Sequence, residues 1–155
     1  MPSPLSGSAS NQLKWAGWAI TLYAGWNTRS ILDAWQHSPF DHWDGPAWIV
    51  WMIPVGISLY AKKEVRIAWL GTALALTLGG ALLDLNLLKH LAFAIACAGL
   101  TAPRSTFWIW LPAAVTWMPA LGWLFSKYDW DPTEVGLLRL ALAFISTISY
   151  ILSKR

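Results

Sequence analysis

Charged residues and cysteine are both scarce in this chain of 155 residues. Asp, Glu, Lys and Arg together make up 12% of it, about half of their usual share in a soluble domain. The single cysteine, Cys97, excludes an internal disulfide framework and a cage of several cysteine ligands around a metal. Hydrophobic residues account for 56% of the chain and lie in long runs. This combination is typical of a polytopic membrane protein.

Tryptophan is abundant instead, with 13 residues. Its amphipathic indole ring suits a bilayer interface or a packed wall inside the membrane. The net charge of +3 is small, and the distribution of Lys and Arg between loops accounts for it. We therefore expect the lipid bilayer as a partner and no binding to nucleic acid.

Six apolar segments predict an all-α fold, a compact bundle of six transmembrane helices with five as the alternative. The first segment, 15–28, would reach only about 21 Å across a hydrocarbon core of roughly 30 Å. It must recruit residues 30–35 or lie in thinned bilayer, and a surface position would leave five spans. The other predicted spans are 46–61, 67–83, 87–102, 107–125 and 135–152.

The prolines and the chain ends complete this prediction. Pro54 is expected to kink the second span, whereas Pro112 and Pro119 are expected to be tolerated within the fifth. Residues 1–12 are polar and uncharged, so we predict a flexible N-terminal tail without the pattern of a cleaved secretory signal. Residues 13–155 are predicted to form one transmembrane helical domain.

The segment from Trp35 to Arg66 indicates the orientation of the chain. It opens with acidic and aromatic residues, crosses as an apolar run, and ends at a basic cluster, which favours the cytoplasmic side. Alternate loops continue this bias, because seven of the basic residues fall on the predicted inner side: Lys14, Lys62, Lys63, Arg66, Arg104, Lys154 and Arg155. Both termini are therefore predicted to be cytoplasmic, in the inner membrane of a bacterium.

The first external loop holds four side chains of the types that bind metals. His37, Asp41, His42 and Asp44 lie close enough in sequence for a loop to gather them around a divalent ion. The alternative is a solvated loop at the headgroup boundary. Since no short histidine pair on a helix accompanies them, we predict no resident metal.

Two residues within predicted spans could carry chemistry. Cys97 would be a nucleophile if a cationic or imidazole neighbour activated its thiol and water could reach it; otherwise it is a small buried hydrophobic residue beside Gly99. Arg139 lies about one turn into the last span, where charge is costly. It is expected either to pair with an acid or to extend its stem to the interface. The candidate acids are Glu134, Asp131 and Asp84.

Two further patterns concern packing. Gly71, Ala75 and Gly79 recur every four residues, which predicts a small-residue stripe that another helix can approach closely. The tryptophans could form a wall for a pigment, a quinone or a lipid, although an aromatic belt explains most of them without a ligand. We predict no specific cofactor. The tryptophans concerned are Trp48, Trp51, Trp69, Trp108, Trp110, Trp117 and Trp123.

The segments AWQHSPFDHWDGPAWIVWMIPV and CAGLTAPRSTFWIWLPAAVTWMP resemble the exosortase/archaeosortase family of membrane cysteine transpeptidases, over about residues 30–125. The resemblance implies a catalytic cysteine in an A-C-S-G-L-like motif, matched here by A-C-A-G-L around Cys97. It also implies a later arginine, matched by Arg139, that would steady the oxyanion. The family's third catalytic residue is a histidine, and no histidine follows Arg139 in this chain.

Three functions follow as hypotheses. The first is a non-enzymatic structural or accessory subunit of a larger membrane complex, because the catalytic set is incomplete and the loops are too short to fold separately. The second is an exosortase-like cysteine transpeptidase. The third is a small transporter or ligand-binding bundle with a polar cavity near Pro54, Pro112 and Arg139.

Overall fold

The computed structural model describes residues 7–60, 65–102 and 104–153. Every regular element in these ranges is helical, which confirms the predicted all-α class. The elements are α1 (Gly7–Asn27), α2 (Ile31–His37), α3 (Asp44–Tyr60), α4 (Ile67–Leu82), α5 (Asn86–Leu100), α6 (Phe107–Trp110), a short 3₁₀ helix (Pro112–Trp117), α7 (Pro119–Phe125) and α8 (Pro132–Leu152).

The chain divides into two compact units. Unit 1 comprises residues 1–28 and 58–102, and unit 2 comprises residues 29–57 and 103–155. Each unit therefore combines two separate stretches of sequence. The expectation of one domain over residues 13–155 stays a prediction.

Unit 1 is built on α4 and α5, with α1 packed against both. A Cβ atom added at Gly17 would lie 3.0 Å from side-chain atoms of both Leu70 and Leu100, so this glycine brings α1 close to the pair. Arg66 ties the start of α4 to the end of α5. Its backbone N–H donates to the Gly99 carbonyl at 3.2 Å, and its guanidinium donates to the Thr101 carbonyl at 2.9 Å. These bonds satisfy carbonyls that a helix end leaves open.

Unit 2 is organised around α8, which packs on α6 and on the 3₁₀ helix. Asp131 caps the start of α8, because its carboxylate accepts the N–H groups of Thr133 and Glu134 at 2.8 and 3.1 Å. Arg104 caps its end, donating to the carbonyls of Tyr150 and Ile151 at 3.1 and 2.6 Å. Both ends of the helix are thus fixed by side chains.

Three tryptophans form the aromatic core of unit 2. Trp51 and Trp110 stack with their ring centroids 4.6 Å apart and their planes at 6°, and Trp117 leans on Trp51 at 5.5 Å. Each is at most 1% exposed. Tyr150 of α8 adds a fourth ring, 5.4 Å from that of Trp110. This cluster joins α3, α6, the 3₁₀ helix and α8 within one unit.

The predicted continuous helix over 107–125 is wrong. The structure breaks this segment at Pro112 and again at Pro119, each of which begins a new helical piece. Proline has no N–H to donate and clashes with the preceding turn, whereas it fits the first position of a helix. Two prolines seven residues apart therefore divide the segment into three short pieces.

The first helix begins earlier in the chain than the sequence predicted. α1 begins at Gly7 and has 21 residues, so residues 7–12, predicted as tail, are helical, and 1–6 lie outside the described residues. Within the described ranges, α8 is the one helix both long and apolar enough to cross a membrane; α4, α5 and the segment Phe107–Trp117 are apolar but shorter. The predicted basic ends at 62–63 and 154–155 fall outside the described part of the chain.

Candidate functional site

A tight turn before α3 directs two aspartates into unit 2. The N–H of Asp44 donates to the carbonyl of Asp41 at 3.1 Å, which closes the turn. Residues three apart in such a turn share one side. Asp41 is 4% exposed and Asp44 is fully buried, whereas His42 between them is exposed. The sequence Asp41-His42-Trp43-Asp44 thus places its two acids inward.

Arg139, about two turns into α8, contacts both carboxylates. Its Nη1 lies 3.2 Å from Asp41 Oδ1 and its Nη2 lies 2.7 Å from Asp44 Oδ2. The remaining donors reach backbone carbonyls: Nε donates to Thr116, Nη1 to Phe40 and Nη2 to Met118, at 2.9, 2.9 and 2.8 Å. A guanidinium has five N–H donors, so this set of bonds employs them all.

The cluster formed by Asp41, Asp44 and Arg139 has more acid than base. Two carboxyl groups face one guanidinium, and Asp44 Oδ1 is buried without a hydrogen-bond partner in the described part of the chain. Burial, reinforced by the neighbouring carboxylate of Asp41 and opposed by Arg139, raises the pKa of Asp44 from 3.8 to about 8. Asp44 lies just before the predicted span 46–61. Desolvation outweighs the guanidinium because the two acids compete for the same positive charge.

Two glycines make room for this turn. A Cβ atom at Gly122 of α7 would lie 2.6 Å from the carboxyl carbon of Asp41, and one at Gly136 of α8 would lie 2.6 Å from Cγ of Trp43. Neither position can hold a larger residue unless the turn moves. Gly136 and Arg139 are three residues apart on α8, so one face of this helix both admits the turn and binds its acids.

An open cleft of about 550 Å³ lies on the outer side of the same turn. Its walls include His37, His42 and Trp43 on one side, and Pro132 and Thr133 at the start of α8 on the other. The turn therefore separates an inward ionic cluster from an outward cleft.

The metal candidates do not converge. Asp41 and Asp44 bind Arg139, while exposed His37 lies 3.2 Å from the carboxylate of Asp33 and 2.9 Å from its carbonyl. Over residues 7–60, 65–102 and 104–153, no three His, Cys, Asp or Glu side chains are arranged to hold a metal ion. Asp41 and Asp44 are buried whereas His37 and His42 are exposed, so the four side chains do not surround a common point.

The residues predicted to be catalytic lie in different units. Cys97 is fully buried in unit 1, on a face of α5 that also buries Phe93 and Leu100. Arg139 in unit 2 has all its donors engaged by protein groups. The transpeptidase role of these two residues stays a prediction.

Among the residues that the structure describes, Gly71 and Gly79 of the small-residue stripe pack against no other element. A Cβ atom at Gly71 or Gly79 would meet nothing within 4 Å among the described residues. α4 instead packs through a different row, whose buried members are Leu70, Ala73, Thr77 and Gly80. Any helix that contacts the stripe must come from elsewhere.

The proposed tryptophan wall is dispersed. Trp51, Trp110 and Trp117 are buried against one another, whereas Trp108 and Trp123 are 67% and 62% exposed. Trp48 lies beside Trp35, with ring centroids 6.2 Å apart. Binding of a pigment, quinone or lipid remains a prediction.

Comparison of the chain with protein-family models, curated proteins and solved structures finds no match. The resemblance to exosortases therefore stays a prediction, and function must be argued from the geometry of the two units.

The sequence left two alternatives for Arg139, pairing with an acid or extension of its stem to the interface, and the structure shows pairing with acids other than those expected. The expected partners were Glu134, Asp131 and Asp84, and the observed ones are Asp41 and Asp44. Asp131 caps α8, and Asp84 binds Lys89 at 2.8 Å, which lowers the pKa of this exposed acid. The missed signal was the spacing of two acids three residues apart immediately before an apolar helix.

Proposed function

We propose that this chain is a small polytopic membrane protein that acts as a non-enzymatic structural or accessory subunit of a larger membrane complex. The observation that carries the proposal is the inverted polarity of α8. Its buried face contains Arg139, Ser146 and Thr147, and its exposed face is almost wholly apolar. In water the opposite arrangement is expected, since apolar side chains gain by burial.

The exposed face of α8 is extensive. Four large apolar side chains, each about one turn from the next, form a continuous strip on this face. They are between 47% and 60% exposed: Leu138, Leu142, Ile145 and Ile148. Contiguous apolar surface of this kind marks contact with a membrane or another protein. The buried hydroxyl of Thr147 donates to the carbonyl of Val50 at 3.1 Å, so this polar group on the inner face has a partner inside unit 2. Lipid contact explains both faces.

The same reasoning supports the count of six crossings. α1 and α8, with 21 residues each, extend about 31 Å, and α4, with 16 residues, extends about 24 Å. The broken segment from α6 to α7 is stabilised by the packing of its three pieces within unit 2, as non-helical backbone at membrane depth requires. The shorter helices imply a locally thinned bilayer or flanking interfacial residues.

A subunit role is favoured over catalysis by two enclosed groups. Cys97 is 0% exposed, whereas a nucleophilic thiolate needs access to its substrate. Arg139 has no N–H left to stabilise an oxyanion without giving up a bond to the protein. The small-residue stripe of Gly71, Ala75 and Gly79, uncovered by the described residues, offers the close-approach surface that a partner helix needs.

Purification from native membranes in a mild detergent tests the proposal. We expect the chain to stay in the membrane fraction after alkaline washing and to co-purify with partner protein in a fixed ratio. Gly71→Leu should reduce this ratio, because it adds bulk to the stripe at a position where an added Cβ atom meets no described residue within 4 Å. Leu74→Trp, which adds bulk at an exposed position of α4 about 100° around the helix from the centre of the stripe, is the matched control. Recovery of the wild-type chain as a lone monomer would overturn the subunit role.

A further inference from the structure

The charge balance of the Asp41, Asp44 and Arg139 cluster is incomplete. With both acids ionised, the cluster would carry a net negative charge in a site where the three side chains are at most 6% exposed. The other partners of Arg139 are neutral carbonyls of Phe40, Thr116 and Met118. An uncompensated buried charge is among the costliest features of a folded protein.

The hydrogen-bond pattern has a matching gap. Asp44 Oδ2 accepts from Arg139 Nη2, while Asp44 Oδ1 is buried and has no hydrogen-bond partner among the described residues. Asp41 Oδ1 accepts from Nη1 of the same guanidinium at 3.2 Å, so the carboxyl groups of Asp41 and Asp44 share one partner. One added proton corrects both faults, since it neutralises the cluster and turns the unpartnered oxygen into a donor toward the neighbouring carboxylate.

We propose that Asp41 and Asp44 form a buried proton-binding site, which holds one proton between two carboxyl groups against the guanidinium of Arg139. Among the described residues, Arg139 is the one countercharge that both carboxyl groups contact. Asp44 is the more deeply buried of the two. When the proton leaves, it passes to water or to a dissolved base, and the pair becomes fully ionised.

The surroundings add no second countercharge. Among the described residues, the charged groups that act on Asp44 are Arg139 from α8 and Asp41 from its own turn. The 3₁₀ helix and the residue after it contribute the carbonyls of Thr116 and Met118, and α7 contributes Gly122, which has no side chain. Burial accordingly raises the pKa of Asp44 to about 8.

The protonation state of the two acids is coupled to the surface through the turn that carries them. Asp41 and Asp44 face inward from the same turn whose His42 and Trp43 line the open cleft. Ionisation of the pair increases repulsion between the two ends of this turn. The proton-binding site and the cleft therefore share one short segment of backbone.

Infrared spectroscopy of the purified full chain in detergent tests the proposal directly. A protonated carboxyl has a C=O stretch well separated from that of a carboxylate. We expect this band in the wild type at about pH 6, with the ratio of protonated to ionised acid falling tenfold per pH unit above a midpoint of about 8. Because the titration uses the wild type, it does not depend on whether a variant folds.

Two variants assign the band. Asp44→Asn replaces the protonated acid by a neutral group of the same shape, so it should remove the band and retain the fold. Asp33→Asn, at an exposed acid paired with His37, should leave the band unchanged. Absence of a protonated-carboxyl band from the wild type at about pH 6, or its persistence in Asp44→Asn, would overturn the proposal.

Discussion

Trp51 and Trp110 hydrogen-bond to each other reciprocally. The indole N–H of Trp51 donates to the carbonyl of Trp110 at 2.9 Å, and the indole N–H of Trp110 donates to the carbonyl of Trp51 at 3.0 Å. Each ring thereby satisfies its buried donor on the backbone of the other residue while the two rings stack. The Trp110 carbonyl that accepts from Trp51 lies two residues before Pro112, at the end of α6 where the helix is interrupted. The tryptophans thus supply hydrogen bonds that the broken segment lacks.

Substitution of Trp110 by Phe should destabilise unit 2 strongly. The change removes the N–H that the Trp51 carbonyl accepts and leaves a gap beside a fully buried ring, at a cost of about 2 kcal/mol or more. Trp108→Phe, two residues away at a side chain that is 67% exposed, should change stability by less than about 0.5 kcal/mol. Thermal unfolding in detergent, followed by circular dichroism, measures both. Equal shifts in Tm would contradict the structural role of the reciprocal pair.

Two glycine substitutions of the same kind should have opposite effects. Gly122→Ala places a methyl group against the carboxyl of Asp41, which Arg139 holds in place, so we expect a loss of about 1–3 kcal/mol. Gly71→Ala adds the same group in open space on α4 and should be neutral or stabilise by about 0.5–1 kcal/mol through helix propensity. Chemical denaturation in mixed micelles compares the two. Similar values would show that Asp41 is not fixed where the structure places it.

The sequence predicted the helices better than it predicted their contacts. Apolar runs and flanking charges located α3, α4, α5 and α8 to within a few residues, because hydrophobic periodicity is a local property. The same information treated 107–125 as one helix, since proline within a membrane span is tolerated when neighbours supply compensating bonds. Here the chain uses both prolines to begin new pieces, and only the three-dimensional packing around Trp51 and Trp110 shows what stabilises them.

The candidate site could be predicted only in part. For Arg139 in the last helix, pairing with an acid was one of two expectations, and extension of its stem to the interface was the other. The choice of acid depended on a turn that brings residues 41–44 and 139 together, almost one hundred positions apart. Proximity in sequence favoured Glu134 and Asp131 as partners of Arg139, but the carboxylate of Asp131 instead caps the start of α8. Long-range pairing of this kind has no signature in composition or periodicity.

Cysteine labelling measures the orientation of the loops. In a Cys97→Ala background, Gln36→Cys should react with a membrane-impermeant maleimide in intact cells, because the Lys/Arg bias predicts that its loop is external. Ser105→Cys, at an exposed position in the loop that contains Arg104, should react only after the membrane is permeabilised. The reverse pattern would invert the topology, and reaction of both sites in intact cells would exclude a membrane between them.

The wild type, with Cys97 alone, serves as a third sample in this experiment. Its thiol is fully buried, so we expect no labelling from either side until the protein is unfolded. Rapid labelling of the native protein from outside would instead revive the transpeptidase hypothesis, which needs a reachable thiolate.

Stability should depend on pH through Asp44 with a defined sign. Since the pKa of Asp44 rises from 3.8 to about 8 on folding, the folded state binds the proton more tightly than the unfolded state between these values. The contribution of Asp44 to stability is therefore complete below about pH 4, decreases as pH rises through the interval, and levels off above about pH 8. Asp44→Asn cannot ionise, so the difference in Tm between wild type and variant isolates this group from every other titration. We expect the Tm of the variant, relative to that of the wild type, to rise steadily from acid to neutral pH. A Tm difference that stays constant with pH, or that shifts in favour of the wild type as pH rises, would mean that Arg139 keeps Asp44 ionised. The absence of a hydrogen-bond partner for Asp44 Oδ1 among the described residues would then require a different explanation.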